Sequence, residues 1–323
     1  MDEKQKKKLM WQLPFLVLLI VGTILIIRQQ HTMPYQHDKG YVFGTVYSVV
    51  YQNSENLQSE IEAELKKVDS EFSMFNQAST VARINRGEKV ERSDMFNEVF
   101  DLAQTIHKET DGAFDITVAP LVNAWGFGFK NEQMPTPQQV DSLLKIRSQY
   151  DFAAIAKGFG SDVVARLLRS HGISNFMVEI GGEIVTQGIN EKRLPWKVGV
   201  TKPTDDSLAV GSELQTVLNV TDIAMATSGN YRNFYYKGGR KYAHTIDPKT
   251  GYPVQHSLLS ATVLASNCAL ADGYATSFMV MGMERAQKLL QQHPELMAYF
   301  IYAKPDGTND VWFSPSLKSK LAE

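Results

Sequence analysis

A lysine cluster followed by an apolar run at the N-terminus constrains everything that comes after it. Lys4, Lys6, Lys7 and Lys8 precede an apolar stretch over 9–27, broken mildly by Gln12, Pro14, Gly22 and Thr23 and closed by Arg28. Roughly 20 apolar residues span a bilayer, so the run is just long enough to cross one. Lysines hold the cytoplasmic side of such a helix, which places the chain after Arg28 outside the cytoplasm. A cleaved signal peptide would end in a small-x-small site, but Arg28, Gln29, Gln30 and His31 follow the run directly. No cysteine stands there for lipid attachment. A buried soluble helix would not explain the lysine block and the abrupt polar stop. The reading is a single-pass signal anchor over 1–28 in the plasma (inner) membrane, a polar linker over 29–40, and a periplasmic domain over 41–323.

That domain has enough apolar material for a core: 43% of the chain is hydrophobic and 21% charged. Lys+Arg is 33 against Asp+Glu 35. No broad basic surface is implied, and nucleic acid is not expected as a partner. Cys268 is the one cysteine in the sequence. This excludes an internal disulfide framework and a zinc site built on several thiolates, so any metal must rely mainly on oxygen or histidine ligands.

Strands and helices follow in irregular succession. Val, Tyr and Thr over 41–52 predict a strand. Ile61, Leu65, Val68 and Phe72 recur at helical spacing, as do Phe96, Val99, Phe100, Ala103 and Ile106. Thr136, Pro137 and Gln139 form a helix start with a capping box. A further helix is expected over 158–170. Strands are expected over 176–187, 196–201, 214–223 and 259–265, with a hairpin around Gly238-Gly239. Helices over 268–282 and 284–292 and a closing hairpin around Pro305-Asp306-Gly307 complete the chain. The order suggests α+β rather than a strict parallel array. No phosphate-binding GxxxxGK[ST] occurs, and Gly126-Phe127-Gly128 lacks the third glycine of a dinucleotide fingerprint.

Four segments carry more chemistry than a core needs. In 111–128, aromatics and glycines follow a helix end, a surface on which a flat ring can lie; an aromatic-rich core loop is the alternative. In 151–158, Lys157 opens a helix where the dipole disfavours a cation, which hints at an anion nearby; a surface lysine is the alternative. In 226–251, His244 stands at a strand end beside polar turns, as an acid/base, a phosphate contact or a structural histidine. In 269–277, Asp272 and Thr276 share one helix face with small and apolar residues. A carboxylate there must be paired or metal-bound, and carboxylate plus hydroxyl oxygens suit Mg2+; a capping role is the alternative.

Taken in order, these segments resemble the ApbE family of flavin transferases. The resemblance runs from about Tyr41 to the C-terminus and rests on GAFDITVAPLVNAWGFG, AAIAKG, ATSGNYRN, HTIDPKTG and ADGYATSFMVMG. It implies an α+β fold of two intertwined α/β halves, T-fold-like, with FAD in a central cleft. It also implies Mg2+-dependent cleavage of FAD, with FMN passing to a Thr or Ser hydroxyl of an acceptor protein and AMP leaving. The metal ligands would be the Ala154 carbonyl and the side chains of Asp272 and Thr276. Ala113, Phe114, Asp115, Asp151, Lys157 and Ile246 would contact flavin and nucleotide. His244 stands where the family carries its functional histidine, with Asp272 and Lys157 beside it in the chemistry. Two positions depart from the family pattern: Phe43 replaces a frequent Met, and Phe75 stands where Tyr is frequent. Both are expected to line the FAD pocket. An FAD pyrophosphatase and a non-catalytic FAD-binding protein are the alternatives. Acceptors would belong to extracytoplasmic redox systems, reached from the membrane anchor.

Overall fold

Glu3–Thr32 form one helix, α1. In the computed structural model, which describes residues 3–128, 134–203, 213–230, 234–237 and 240–322, the stretch Trp11–Arg28 is long and apolar enough to cross a membrane and buries nothing against the rest of the chain. Trp11, Phe15, Leu18 and Leu25 are all exposed. The Thr23 hydroxyl donates to the Leu19 carbonyl at 2.8 Å and so satisfies itself within the helix.

Two strands follow, β1 (Tyr35–Val42) and β2 (Thr45–Gln52), paired antiparallel along their whole length. The two-residue turn between them, Phe43-Gly44, has φ of 53° and 73°, as a type I′ hairpin turn requires. This corrects two expectations. The strand over 41–52 is a hairpin, and residues 35–40, expected within a polar linker, form its outer strand. Polar composition hid β1: Asp38 is buried and accepts from the Tyr51 hydroxyl at 2.7 Å and from Asn56 Nδ2 at 2.6 Å.

The helical layer comprises α2 (Gln58–Phe72), α3 (Thr80–Asn85), α4 (Asp94–Glu109), α5 (Ala119–Ala124), α6 (Pro137–Leu143) and α7 (Ala156–Ser170). Ile61, Leu65, Val68 and Phe72 of α2 are buried, as are Phe96, Val99, Ala103 and Ile106 of α4, as their spacing predicts. The capping box of α6 is present: Gln139 N–H donates to Thr136 Oγ1 at 3.3 Å, and Gln139 Oε1 accepts from the Thr136 N–H at 2.8 Å.

The stretch expected as one strand over 176–187 is two, β3 (Phe176–Ile180) and β4 (Glu183–Gln187), turned by Gly181 and Gly182 at φ of 64° and 105°. Next come β5 (Lys197–Thr201), β6 (Leu214–Asn219), β7 (Ala224–Gly229), β8 (Phe234–Lys237), β9 (Arg240–Ala243) and β10 (Leu258–Ala265). The last elements are α8 (Cys268–Met281), α9 (Met283–Gln292), β11 (Met297–Ala303) and β12 (Asn309–Phe313). The Gly238-Gly239 turn and Tyr231, Arg232 and Asn233 lie outside the described residues.

One eight-stranded antiparallel sheet, ordered β1-β2-β3-β4-β7-β10-β11-β12, organises the domain. It consists of two four-stranded halves joined where β4 meets β7 through only two residue pairs, Ile184↔Met225 and Val185↔Ala224. Side chains alternate across it with period two. Val263, Ala298 and Phe300 point to the cluster under α4, α7 and α8, while Leu264, Tyr299 and Ile301 point to a second core with Trp196, Val200 and Leu218 from around the β5–β6 ribbon. A third cluster, with Tyr47, Val49, Phe176 and Leu168, fills the β1–β4 half. The architecture is α+β, as expected.

Candidate active site

The site lies where the two halves of the sheet meet and where α7 and α8 pack together. Small residues permit that packing. A Cβ on Gly158 would lie 2.3 Å from the Cys268 carbonyl oxygen and 2.9 Å from Asp272 Cβ. The close approach lets the Gly158 N–H, in the first turn of α7, donate to Asp272 Oδ2 at 3.1 Å. The tie is reciprocal: Asp162, one turn further along α7, accepts the N–H groups of Cys268 and Ala269 at 2.8 Å each and holds the start of α8. Asn267 supplies the N-cap proper, accepting from Leu270 N–H.

Lys157 bridges the carboxylates behind this junction. Its Nζ lies 2.9 Å from Glu183 Oε1 and 3.7 Å from Asp272 Oδ2. The anion that the lysine's position called for is thus supplied by the protein itself. Glu183 sits at the first position of β4, just past the two-glycine turn, and sequence reasoning missed it; an acidic residue ending a Gly-Gly turn was the only signal. Burial raises the pKa of Asp272, against the Lys157 charge and the Gly158 N–H. Burial likewise raises that of Glu183, with Lys157 opposing and Asp272 reinforcing the shift. For Lys157, burial alone would lower the pKa, but the charges of Asp272 and Glu183 outweigh it and raise the value.

A cleft of about 480 Å³ opens over this trio. Asp272, Thr276 and Val280 of α8 form one wall, and Ala153, Ala154 and Lys157 at the head of α7 form another. Gly181, Glu183 and the β7 residues Thr227, Ser228 and Gly229 close the floor. Ala113, Phe114, Asp115, Asp151, Phe75, Phe127, His244 and Ile246 complete the lining. Residues expected to act together from five separate segments therefore share one cleft. Phe43 is not among its lining residues; its ring turns to the other side of α7, where it is close enough to Gly160 that a Cβ there would lie 2.8 Å from Phe43 Cε2. His244 lies at a strand end, as expected, directly after β9, with its ring 6.4 Å from that of Phe127. Ile246 makes an isolated bridge to Pro253. Two side-chain-to-backbone hydrogen bonds anchor loops that reach the cleft: His107 Nδ1 meets the Phe114 carbonyl at 2.7 Å, and Trp125 Nε1 donates to the Gly251 carbonyl at 2.7 Å.

Asp115 serves the loop as well as the cleft. Its Oδ1 accepts from the Thr117 N–H at 2.8 Å, and its Oδ2 meets Arg147 at 2.9 Å. Asp151 Oδ1 accepts the Ala153 N–H at 2.8 Å, shaping the turn that presents the Ala153-Ala154 backbone; desolvation raises its pKa. The Thr276 hydroxyl pairs with Ser228 Oγ at 3.1 Å.

Among the described residues, no group of three or more His, Cys, Asp and Glu side chains could hold a metal. A cation here would therefore draw on carbonyl and hydroxyl oxygens as well. The charge balance suits one. Two buried carboxylates face one ammonium, and Glu183 Oε2 is buried with no hydrogen-bond partner. Both contacts of Asp272 described above fall on Oδ2.

Residues 43–300 match the ApbE family. The FAD:protein FMN transferase of Vibrio cholerae is 36% identical over 318 residues, covering 89% of this chain and 93% of the relative. That of Haemophilus influenzae is 37% identical over 319 residues, with 88% and 90% covered. Among solved structures, the flavin transferase ApbE from Vibrio cholerae superposes with a TM-score of 0.80 at 34% identity, over 90% of this chain and 100% of that one. An ApbE protein from Thermotoga maritima superposes at 0.77 with 25% identity, over 90% and 100%. The fold is that of the flavin transferase class. The chain belongs to the ApbE family.

Proposed function

We propose that this chain moves the FMN part of FAD onto a Thr or Ser hydroxyl of an acceptor protein and releases AMP. The observation that carries this reading is the convergence of Lys157, Asp272, Thr276 and the Ala154 backbone on one aromatic-walled cleft. A polyanionic dinucleotide needs flat apolar surface at its ring and positive charge at its phosphates; Phe75, Phe114 and Phe127 offer the first, and Lys157 with a cation held by the carboxylate-rich wall would supply the second.

In this reading the acceptor hydroxyl oxygen forms a bond to the FMN phosphorus. The bond from that phosphorus to the bridging oxygen breaks, and AMP leaves with the bridging oxygen. The Ala154 carbonyl, Asp272 and Thr276 would hold Mg2+, which when bound neutralises phosphate charge in the transition state. Lys157 adds a positive group on the same side. Phe114 and Phe75 flank the ring, while Ala113, Asp115, Asp151 and Ile246 supply polar and backbone contacts around flavin and nucleotide. His244 takes the hydroxyl proton or steadies the leaving AMP.

The helix α1 serves as the anchor in this proposal, holding the domain on the periplasmic face of the inner membrane beside acceptors of extracytoplasmic redox systems. The expected limits of 1–28, 29–40 and 41–323 shift accordingly: α1 runs to Thr32, and the domain opens with β1 at Tyr35.

Incubation with FAD, Mg2+ and a candidate acceptor tests the function. A covalently fluorescent acceptor with stoichiometric AMP is the expected result. Free FMN with AMP would make the chain a pyrophosphatase, and intact FAD would make it a binding protein.

A further inference from the structure

We infer that Glu183 is a positioning residue which holds Lys157 off Asp272 and so keeps the Asp272 carboxylate available to a divalent cation. This rests on the metal reading of Asp272 given above. Three observations support it. The Lys157 ammonium is asymmetrically shared, 2.9 Å from Glu183 and 3.7 Å from Asp272. Glu183 is 3% exposed, and its second oxygen, Oε2, is buried without a hydrogen-bond partner although the residue lines the cleft. Its place is rigid: β4 begins at Glu183, and the Ser161 hydroxyl of α7 donates to its backbone carbonyl at 2.9 Å.

The consequence is electrostatic. With both carboxylates ionised, as above the raised Glu183 pKa of about 7, the Lys157, Glu183 and Asp272 trio carries one net negative charge, which attracts a dication in a poorly screened site. Without the Glu183 charge the trio becomes neutral, and of the two carboxylates only Asp272 is left to pair with Lys157. Both changes oppose cation binding. Loss of the Lys157 charge does the reverse, leaving two carboxylates and no competing ammonium. Glu183 and Lys157 therefore act on cation affinity with opposite signs, although they form one ion pair. A merely structural pair would give losses of the same sign from either side.

Mn2+ titrated into the purified full chain, followed by the free-ion paramagnetic resonance signal, reads this directly without FAD. Glu183→Gln is expected to weaken Mn2+ binding about tenfold or more, and Lys157→Met to tighten it. Glu183→Asp, which keeps the charge, is expected to recover most of the affinity lost in Glu183→Gln. Wild-type affinity in Glu183→Gln, or weaker binding in Lys157→Met, would overturn the inference. Should Glu183→Gln fail to fold, the sign of the Lys157→Met shift decides alone. Mn2+ binding by the wild type with no effect of Glu183→Gln removes only this inference. A wild type that transfers flavin yet binds no Mn2+ removes the metal reading together with it.

Discussion

Gly158 gives its backbone N–H to Asp272 at 3.1 Å from a position where no side chain fits. The cleft wall depends on that contact, because it sets both the spacing of α7 and α8 and the direction of the Asp272 carboxylate. Gly158→Ala would drive a methyl group into the Cys268 carbonyl and Asp272 Cβ, which are backbone and near-backbone atoms that cannot swing aside. Overpacking of this kind costs about 1–3 kcal/mol or more. A lower melting temperature, and flavin transfer reduced beyond what the lost folded fraction explains, are expected from thermal melts and turnover assays on one preparation.

Asp162 makes stability depend on pH. Burial raises its pKa from 3.8 to about 6, although two backbone N–H groups favour the charged form. Between those values the folded protein holds a proton that the unfolded chain has released, so the Asp162 contribution falls as pH rises from about 4 to about 6. It is flat on either side. Asp162→Asn removes the titration, and the difference in unfolding free energy between wild type and variant should change by about 2–3 kcal/mol across that window. Denaturant unfolding at pH 4, 5, 6 and 7 measures it; a constant difference would contradict the assignment.

Thr276→Val exchanges the hydroxyl that meets Ser228 for a methyl group of nearly equal size. The fold should hold, since the lost hydrogen bond is worth about 1 kcal/mol. The Mg2+ concentration for half-maximal AMP release should rise severalfold, while Asp272→Ala should abolish Mg2+-dependent release. An unchanged Mg2+ dependence in Thr276→Val would tell against the hydroxyl as a ligand.

Removal of 1–28 takes away a helix whose apolar stretch buries nothing against the domain. The shortened chain should move from the membrane fraction to the soluble one with its thermal stability within about 0.5 kcal/mol of the full chain, as expected for a change away from packed features. Sedimentation of fractionated cells, with melting of the purified protein, checks both halves of the statement.

Much of this was legible in the residues. Amphipathic spacing located α2 and α4 because burial on one face is what a 3.6-residue period encodes. The carboxylate and hydroxyl of α8 stood out because polar groups on an apolar helix face require partners. What escaped notice depended on contacts distant in sequence. Asp38 turns a polar segment into a strand only through Tyr51 and Asn56. Glu183 gains meaning only when β4 is laid against Lys157. The Phe43-Gly44 turn escaped because phenylalanine seldom takes positive φ. Strand β7 was hidden by its small side chains, which make room for α8 rather than advertise a strand.

The narrow seam between β4 and β7 has an architectural result. Backbone ladders bind each half of the sheet internally, but between β4 and β7 only two residue pairs meet, extended by the Thr186 N–H to the Ile223 carbonyl at 3.2 Å. Helices lying across the gap therefore share in coupling the two wings, and α7 and α8, packed on each other, both line the cleft. The spacing of that wall is thus set by a buried glycine at the helix contact, where a methyl group would already collide, rather than by the loops around the mouth.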